Sequence, residues 1–440
     1  MNINDLKNVE YDALKNKKLL ILGATASEIS LIQRAQVFGV KVYVTDNHTD
    51  YTLSPAKYYA DEAWDISWSD IDALEKKCRS VGIDGVTAGY SEIRVENLIK
   101  LCTRLGLPCY ATMEQLEITR DKIKFKEECK KNGIPIVKEY STINDVKEYP
   151  VIIKPVDRAG SIGISVAHNK KELEKAYMYA MEKSLCKKVI IEEYIYKAVK
   201  FDAYYEIVDG NIELVSTDDV INAPNNGTSK VVQSGWILPS IHQDAFLKKI
   251  DLKMKKMIAH MGINNGYIFF SGFADKNSEF TFFECGFRLC GGHLYNYFPF
   301  IGHHNNLDIF ILHALTGNTK NIIRTAYSNP NLKCATVNLY AKAGTVKSIS
   351  GWEKIKQMPD CYFALQFAHI GQVCTDKQAI LSKLGMAYFC NESTERLDQD
   401  IAEMYTYFDA KDEEDNDMVY DRIIPGYIHK WWSGEMLNDL

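Results

Sequence analysis

Between Lys18 and Leu105 the apolar residues follow two alternating rhythms. Short aliphatic and β-branched runs, KLLILG, KVYVTD and GVTAG, are separated by segments whose apolar positions recur every three or four residues, over Ala26 to Phe38, Ile71 to Ser80 and Glu92 to Leu105. Short apolar runs indicate strands covered on both faces, and the longer period indicates amphipathic helices. This part of the chain is therefore expected to form an open parallel α/β sheet. Gly23 and Asp46 close two of the strands, at the edge where such sheets usually bind ligands. The turn GATASE is not the G-x-G-x-x-G of a dinucleotide site, which argues against a Rossmann cofactor.

Near Met113 the pattern changes and a second unit begins. A helix over Lys122 to Asn132 stops at Gly133 and Pro135, and strand pairs are expected to dominate from Ile136 to Asp209. A long helix is expected from Asp244 to Met261, and YIFFSGFA and EFTFFECG, joined by the polar DKNS, read as a hairpin of a mostly buried sheet. After Leu332 the stretch ATVNLYAKAGTVKSISG is rich in β-branched residues and glycine, and the last clear helix covers Glu395 to Phe408. That combination indicates a small third α+β unit, and the acidic KDEEDND reads as a solvated loop.

Size and charge narrow the function classes. A chain of 440 residues is long enough for roughly two to four domains. A net charge of −6 provides no general attraction for nucleic acid or an anionic membrane, so any phosphate site must be local. The N-terminal MNINDLKNVEYDALKNKK lacks the apolar core of a secretion signal, and no later run approaches a membrane-spanning length; a cytoplasmic location is expected. The 11 cysteines are scattered and include no C-x-x-C pair, which reads as reduced, mostly buried thiols.

Three stretches carry candidate chemistry. In VIIKPVDRAGSIGISV, Lys154 ends a strand where a charge needs solvent or an anionic partner, and the loop after it could surround phosphate oxygens with backbone N–H groups. The order of lysine before glycines is not that of a P-loop, and a surface hairpin with an edge lysine is the alternative. In KVIIEEYIYKAVKFDAYYEIVDG, an apolar strand emerges at Glu192 and Glu193, where a free backbone edge could read an adenine; a pair of solvated glutamates is the alternative. In EFTFFECGFRLCGGH, the two-residue strand period puts Phe280, Phe282, Glu284, Gly286 and Arg288 on one side. A carboxylate there could hold Mg²⁺ and the guanidinium could stabilise a transferring phosphoryl group, against the alternative of a buried ion pair. His293, after Gly291 and Gly292, reads as a base for an incoming amine or as a structural histidine. Lys230, in the long polar loop before Trp236, reads as a carboxylate contact or a solvated lysine.

Taken in order, DKIKFKE, IIKPVDRAGSIGI, IIEEYI and FFECGFRLCGG resemble the motifs of the ATP-grasp superfamily. The resemblance implies an α/β and α+β architecture: an N-terminal open parallel α/β unit over 1–112, an ATP-grasp unit over 113–332 with a nucleotide-binding subdomain at about 135–205, and a C-terminal α+β unit over 333–440, similar to biotin carboxylase-like and purine-biosynthetic members. Carried over by residue, it implies that Lys122 and Lys154 hold ATP phosphates, that Arg158, Gly160, Ser161 and Gly163 form the lid, and that Glu192, Glu193, Tyr194 and Ile195 form the adenine hinge. Glu284 would bind Mg²⁺ (or Mn²⁺) and Arg288 would lie where an acyl phosphate forms. The implied reaction is ADP-forming ligation of a small carboxylate to an amine, with no nucleic-acid or membrane partner and with homodimers common among members. The other readings are a carboxyphosphate-forming, carboxylase-like enzyme and a catalytically silent nucleotide-binding protein.

The chain departs from the family pattern at three places. Glycine, Gly286, stands in the middle of the usual E-x-N-x-R. Gly272 stands where a second acidic ligand is usual, with Asp275 the nearest carboxylate. Ala198 and Lys200 stand at the usual G-x-E, leaving Asp202 as the substitute for its ribose-binding glutamate.

Overall fold

Four short strands carry the first unit: β1 (Lys18–Leu22), β2 (Lys41–Thr45), β3 (Glu62–Trp64) and β4 (Gly85–Ala88). They pair in parallel in the order β3-β2-β1-β4, wrapped by α1 (Ile29–Val37), α2 (Ile71–Val81) and α3 (Glu92–Leu105). The first helical segment is in two pieces, a 3₁₀ turn over Ala26–Glu28 followed by α1. Glu28 explains the break: its buried carboxylate turns back to accept from the Thr25 N–H and hydroxyl, a capping box. The structure, a computed structural model, describes residues 12–157, 162–223, 232–324, 328–375 and 382–439.

Two helices, α4 (Met113–Arg120) and α5 (Lys122–Lys131), lead into a small antiparallel sheet of β5 (Glu139–Tyr140), β6 (Val151–Pro155), β7 (Ser165–Ala167) and β8 (Val189–Glu193), ordered β5-β8-β6-β7. The stretch expected to be dominated by strand pairs also contains α6 (Lys170–Lys183). Its spacing of Leu173, Ala176 and Ala180 is helical, and these residues pack with Val151, Ile153, Ala167 and Ile191 in a core separate from that of the rest of the chain.

The main sheet comprises β9 (Ala198–Val208), β10 (Asn211–Asn222), β11 (Gln233–Leu238), β12 (Gly266–Asp275), β13 (Phe280–Gly286) and, beyond the expected boundary after Leu332, β14 (Lys333–Tyr340). Between β11 and β12 the expected single helix is divided into α7 (Gln243–Lys249) and α8 (Asp251–His260), and α9 (Asn306–Thr316) precedes β14. The remainder adds β15 (Gly344–Thr345), β16 (Ser348–Ser350), α10 (Trp352–Lys356), β17 (Cys361–Gln366), β18 (Val373–Cys374), β19 (Lys383–Asn391), α11 (Thr394–Tyr407), β20 (Asp409–Lys411) and α12 (Tyr427–Trp432). Eight antiparallel strands are ordered β13-β12-β9-β10-β11-β14-β19-β17, so the strands after Leu332 extend the sheet of the central unit through Ile237↔Ala335 and Leu238↔Cys334. Strand β9, placed by the resemblance partly in the nucleotide-binding subdomain, belongs to this sheet.

Helix α9 fastens the main sheet to the N-terminal one. Its NLDIFILHAL is buried on every face, and a side chain at Gly85 of β4 would put a Cβ 2.4 Å from the Ala314 carbonyl oxygen. Arg34 of α1 grips Asp308 of α9 through two hydrogen bonds of 2.6 and 2.7 Å, with both side chains buried. Near the C-terminus, the Trp431 indole N–H donates to Asp219 of β10 at 2.8 Å, anchoring α12 on the main sheet. Among the described residues no helix is long and apolar enough to cross a membrane.

Candidate active site

Lys154 lies on β6 with only 9 % of its surface exposed, and its ammonium forms an ion pair with the buried Glu192 of β8. Register makes the pair: Ile152 stands opposite Glu192 and Lys154 opposite Ile190, so both side chains leave the same face. Glu192 also pairs with Lys126 of α5, which reaches Glu139 at 2.7 Å. Burial pushes the Glu192 carboxyl up, but Lys154 and Lys126 more than offset it and the net shift is downward. The Glu192 side chain is thus spoken for, while at Glu193 to Ile195 the backbone follows the strand end, with the Glu193 and Tyr194 N–H groups donating to Lys138 and Pro150. The Lys154 ammonium also lies 5.2 Å from the centre of the Phe283 ring, bringing the small sheet against β13.

Next to Phe283 begins a row of polar side chains that crosses four strands. Glu284 of β13 stands opposite Ser271 of β12, Ser271 opposite Asp202 of β9, and Asp202 opposite Asp218 of β10. Residues directly opposite in a sheet point to one face, so three carboxylates share it. Lys200, two residues before Asp202 and on the same face, lies 3.7 Å from it. Asp202 and Asp218 are buried, and each keeps one carboxylate oxygen, Oδ1, without a hydrogen-bond partner among the described residues. Burial first, and then the charge of Asp202, hold the Asp218 carboxyl well above the usual range, although the Tyr204 hydroxyl donates to it at 2.5 Å. Burial likewise raises Asp202 against the pull of Lys200. For Lys200 burial opposes the charge, but Asp202, Glu284 and Asp218 raise its pKa overall.

Arg288 follows β13 at the carboxyl edge of the N-terminal sheet. Its Nε donates to Glu92, the first residue of α3, at 2.6 Å, its Nη1 donates to the Leu289 carbonyl at 2.9 Å, and its guanidinium lies 5.2 Å from the Phe269 ring centre. Beyond it, Tyr90 donates to the Tyr295 hydroxyl at 3.2 Å and its ring lies 4.8 Å from the His293 imidazole. His293 is buried in a left-handed backbone conformation, φ 53°, with Nδ1 2.5 Å from the Tyr295 hydroxyl. Burial, with a contribution from Lys383, lowers its pKa to about 3, so the imidazole is neutral. At Gly23 and Asp46 the edge is filled by the protein itself: Arg94 occupies the space above Gly23 and pairs with Glu28, and Asp46 caps His48 and Ser54.

The structure therefore brings Lys154, Glu192, Glu284 and Asp202 to adjoining positions on two facing sheets and sets Arg288 behind them. Asp275 is not brought to Glu284. It ends β12, where its Oδ1 accepts the Asn277 and Glu279 N–H groups of the hairpin turn, four residues and roughly 13 Å along the strand from Ser271. Lys122 opens α5, which packs on the main sheet with Phe125 stacked on Phe270 of β12. Gly163 has φ +77° and lies against Pro155, where a Cβ would come within 2.6 Å. Arg158, Gly160, Ser161 and Lys230 fall outside the described residues. Lys126 and Asp218 escaped the sequence reasoning, though each left a signal. Lys126 shares the buried stripe of Phe125 and Cys129, and DD within the apolar run of β10 must bury one acid on each face.

Comparison with known proteins bears on the fold. The family model described as the D-Ala–D-Ala ligase C-terminus matches residues 101–217. The chain has the ATP-grasp fold, preceded by a parallel α/β unit and followed by strands that extend its main sheet. It is similar to the L-amino acid ligase from Bacillus licheniformis (TM-score 0.72, 19 % identity, covering 91 % of this chain and 99 % of that one). It is also similar to the biotin carboxylase domain of Hydrogenobacter thermophilus 2-oxoglutarate carboxylase (TM-score 0.74, 17 % identity, covering 96 % and 95 %). In sequence it is 26 % identical over 219 residues to a formate-dependent phosphoribosylglycinamide formyltransferase of Prochlorococcus marinus, spanning 47 % of this chain and 54 % of that protein. Over 78 residues it is 42 % identical to a D-alanine–D-alanine ligase of Fusobacterium nucleatum, 18 % of this chain and 25 % of that protein. The chain thus spans about half the length, or less, of these curated relatives.

Proposed function

We propose that this protein is an ATP-dependent ligase that phosphorylates a small organic carboxylate, releases ADP, and lets an amine displace the phosphate to form an amide. The observation that carries this reading is the meeting of Lys154, on the small sheet, with the ring of Phe283, next to Glu284 and its row of carboxylates. An ammonium arm opposite an acidic row is what a polyphosphate and its metal require from two facing sheets. Lys154 and Lys122 hold the phosphates, and the chain end of β8 at Glu193 to Ile195 receives the base. Arg288, its Nε fixed by Glu92, offers Nη2 to charge on the acyl phosphate.

Magnesium fits the donor set. Glu284 and Asp202 offer hard oxygen ligands in the same row, and the orphaned Oδ1 of Asp202 is a buried acceptor that a cation would satisfy. Glu284 and Asp202 would hold the ion, which would neutralise phosphate charge during transfer. Asp202 serves this row in preference to the ribose.

The test is a matrix of organic acids and amines incubated with the protein and Mg–ATP, with ADP release as the readout and product mass as identification. ADP release that needs both an acid and an amine, with a product equal to their sum less water, is expected. The likeness to a 2-oxoglutarate carboxylase favours a second reading, carboxyphosphate formation, which predicts ATP cleavage driven by bicarbonate alone. Absence of Mg–ATP uptake in calorimetry would overturn both.

A further inference from the structure

The first residue of β19, Lys383, is a half-buried ammonium in an unusual setting. Its Nζ lies 5.0 Å from the ring centre of Phe367, 5.7 Å from that of Trp236 and 6.0 Å from that of Tyr340, and 3.7 Å from the Met386 sulfur. Among the described residues no carboxylate pairs with it. Ring faces attract a cation but accept no strong hydrogen bond, and a thioether is a weak acceptor, so among the described residues the N–H donors of Lys383 lack a good partner.

The cage adjoins the acid row on the same face of the main sheet. Trp236 of β11 stands opposite Val220 of β10, and Val220 is two residues from Asp218, so Trp236 and Asp218 point the same way. Other unsatisfied groups converge nearby. His293, whose ring centre lies 6.0 Å from Phe367 and 5.5 Å from Phe363, has a buried Nε2 without a partner among the described residues. The Tyr388 hydroxyl is also buried and, among the described residues, unpartnered, and its ring centre lies 5.5 Å from that of Phe363. A Cβ at Gly292 would lie 3.7 Å from that hydroxyl.

We infer that Lys383 and its rings form an anion subsite that receives the carboxylate of an apolar organic acid, with the body of the acid against Trp236 and Phe367. The carboxylate is anchored there and not activated, because the phosphoryl end of the site lies on β9 and β13. Which reaction the bound acid enters rests on the ligase reading; its binding does not. A bicarbonate site would need no ring cage of this kind.

The pH dependence follows from the groups around the ammonium. Burial lowers the Lys383 pKa to about 7, against a small opposing effect of Cys290. Of the groups around the cage, His293 at about 3, Tyr340 pushed up to about 12 by burial and the Cys290 thiol raised by burial keep one charge state between pH 6.5 and 8.5. The Asp218 carboxyl on the same face is raised by burial, and Lys383→Met, which keeps it, separates its titration from that of the ammonium. An anion binds the ammonium, so its affinity is greatest below pH 7 and falls as the proton is lost.

Calorimetric titration of the intact protein with 3-phenylpropionate, 4-methylpentanoate and hexanoate, each against its uncharged primary amide, tests this. None of these probes changes charge in that pH range. At pH 6.5 at least one acid should bind roughly tenfold or more tightly than its amide, the difference a charge-assisted hydrogen bond provides. That preference should vanish in Lys383→Met and fall roughly tenfold or more in the unmodified protein by pH 8.5. No preference for any acid, a preference that survives in Lys383→Met or across that pH range, or tighter binding of inorganic phosphate than of every acid, each overturns the inference. Mg–ATP titrated in the same experiment reports separately on the ligase reading: an acid preference without nucleotide binding supports the subsite and removes the ligase.

Discussion

Restoring an asparagine at Gly286 should damage the protein, and the damage should depend on one ring. A Cβ at this position would lie 2.4 Å from Cζ and 2.7 Å from Cε1 of Phe269, where carbon atoms in contact normally stand about 3.5–4.0 Å apart. The ring must therefore move by about 1 Å or more, and it is not free to do so. It is half-buried, tilted against Tyr267, and lies under the Arg288 guanidinium. Overpacking of this kind costs about 1–3 kcal/mol, and loss of the ring under Arg288 about 0.5–1 kcal/mol more. Phe269→Ala alone should cost about 2–3 kcal/mol, less than for a fully buried ring. Combined with Gly286→Asn, however, it removes the obstacle, so the double variant should be more stable than the sum of the single effects by at least about 1 kcal/mol. Urea unfolding of the four proteins, followed by tryptophan fluorescence, measures the cycle. Effects that add within about 0.5 kcal/mol would refute the steric account of this glycine.

Lys154→Ala should weaken Mg–ATP binding roughly tenfold or more while leaving a folded protein, because Glu192 keeps Lys126; unchanged affinity in calorimetry removes the phosphate role. Glu192→Gln, by contrast, leaves the buried Lys154 ammonium without a carboxylate and Lys126 with Glu139 alone, and should lower stability by about 3 kcal/mol at neutral pH. Its folded-state pKa is depressed, so the difference from wild type should be full above the ordinary carboxylate range and shrink as pH falls through the folded value. Arg288→Ala should keep nucleotide binding and lose turnover, and equal turnover would take Arg288 out of the chemistry. Asp219 tests the opposite sign: burial raises it to about 6 despite donors from Ser240, Trp431 and Ile241. Its stabilising contribution is full below about pH 4 and is lost as pH rises through about 6. Wild type should therefore lose about 2 kcal/mol relative to Asp219→Asn between pH 4 and 7 in paired unfolding experiments, and a flat difference would refute the assignment.

What the sequence made legible was what is local. Strands β1, β2 and β4 and helix α3 follow from periodicity within each segment. The alternation expected from Phe280 to Arg288 holds only from Glu284 onward: the register shift opposite Ser271 and Gly272 makes Phe283 an extra residue and turns Phe280 and Phe282 to the other face, against Phe201 and Phe246. Helix α9 was invisible because an element buried on every face carries no period, and the division between central and C-terminal units was blurred because β11 and β14 pair across nearly 100 residues. The same distinction explains the glycines. In the sequence Gly272 and Gly286 look like missing functional groups; in the structure both are packing solutions. A side chain at Gly272 would meet the Thr281 carbonyl oxygen at 2.4 Å, at a bulge between Ser271 and Gly272. No acid fits there, and Ser271 takes the place opposite Glu284. The next two strands of the same row then carry Asp202 and Asp218, each with an unsatisfied oxygen. A carboxylate excluded from β12 by a bulge is thus matched by two on its neighbours. The compensation is written in strand register, which joins residues that neither a motif nor a spacing along the chain can connect. If the row acts as one unit, Asp202→Asn and Asp218→Asn should each lower the Mg²⁺ dependence of nucleotide binding, whereas Asp275→Asn, on the same hairpin but turned into its own loop, should leave it unchanged.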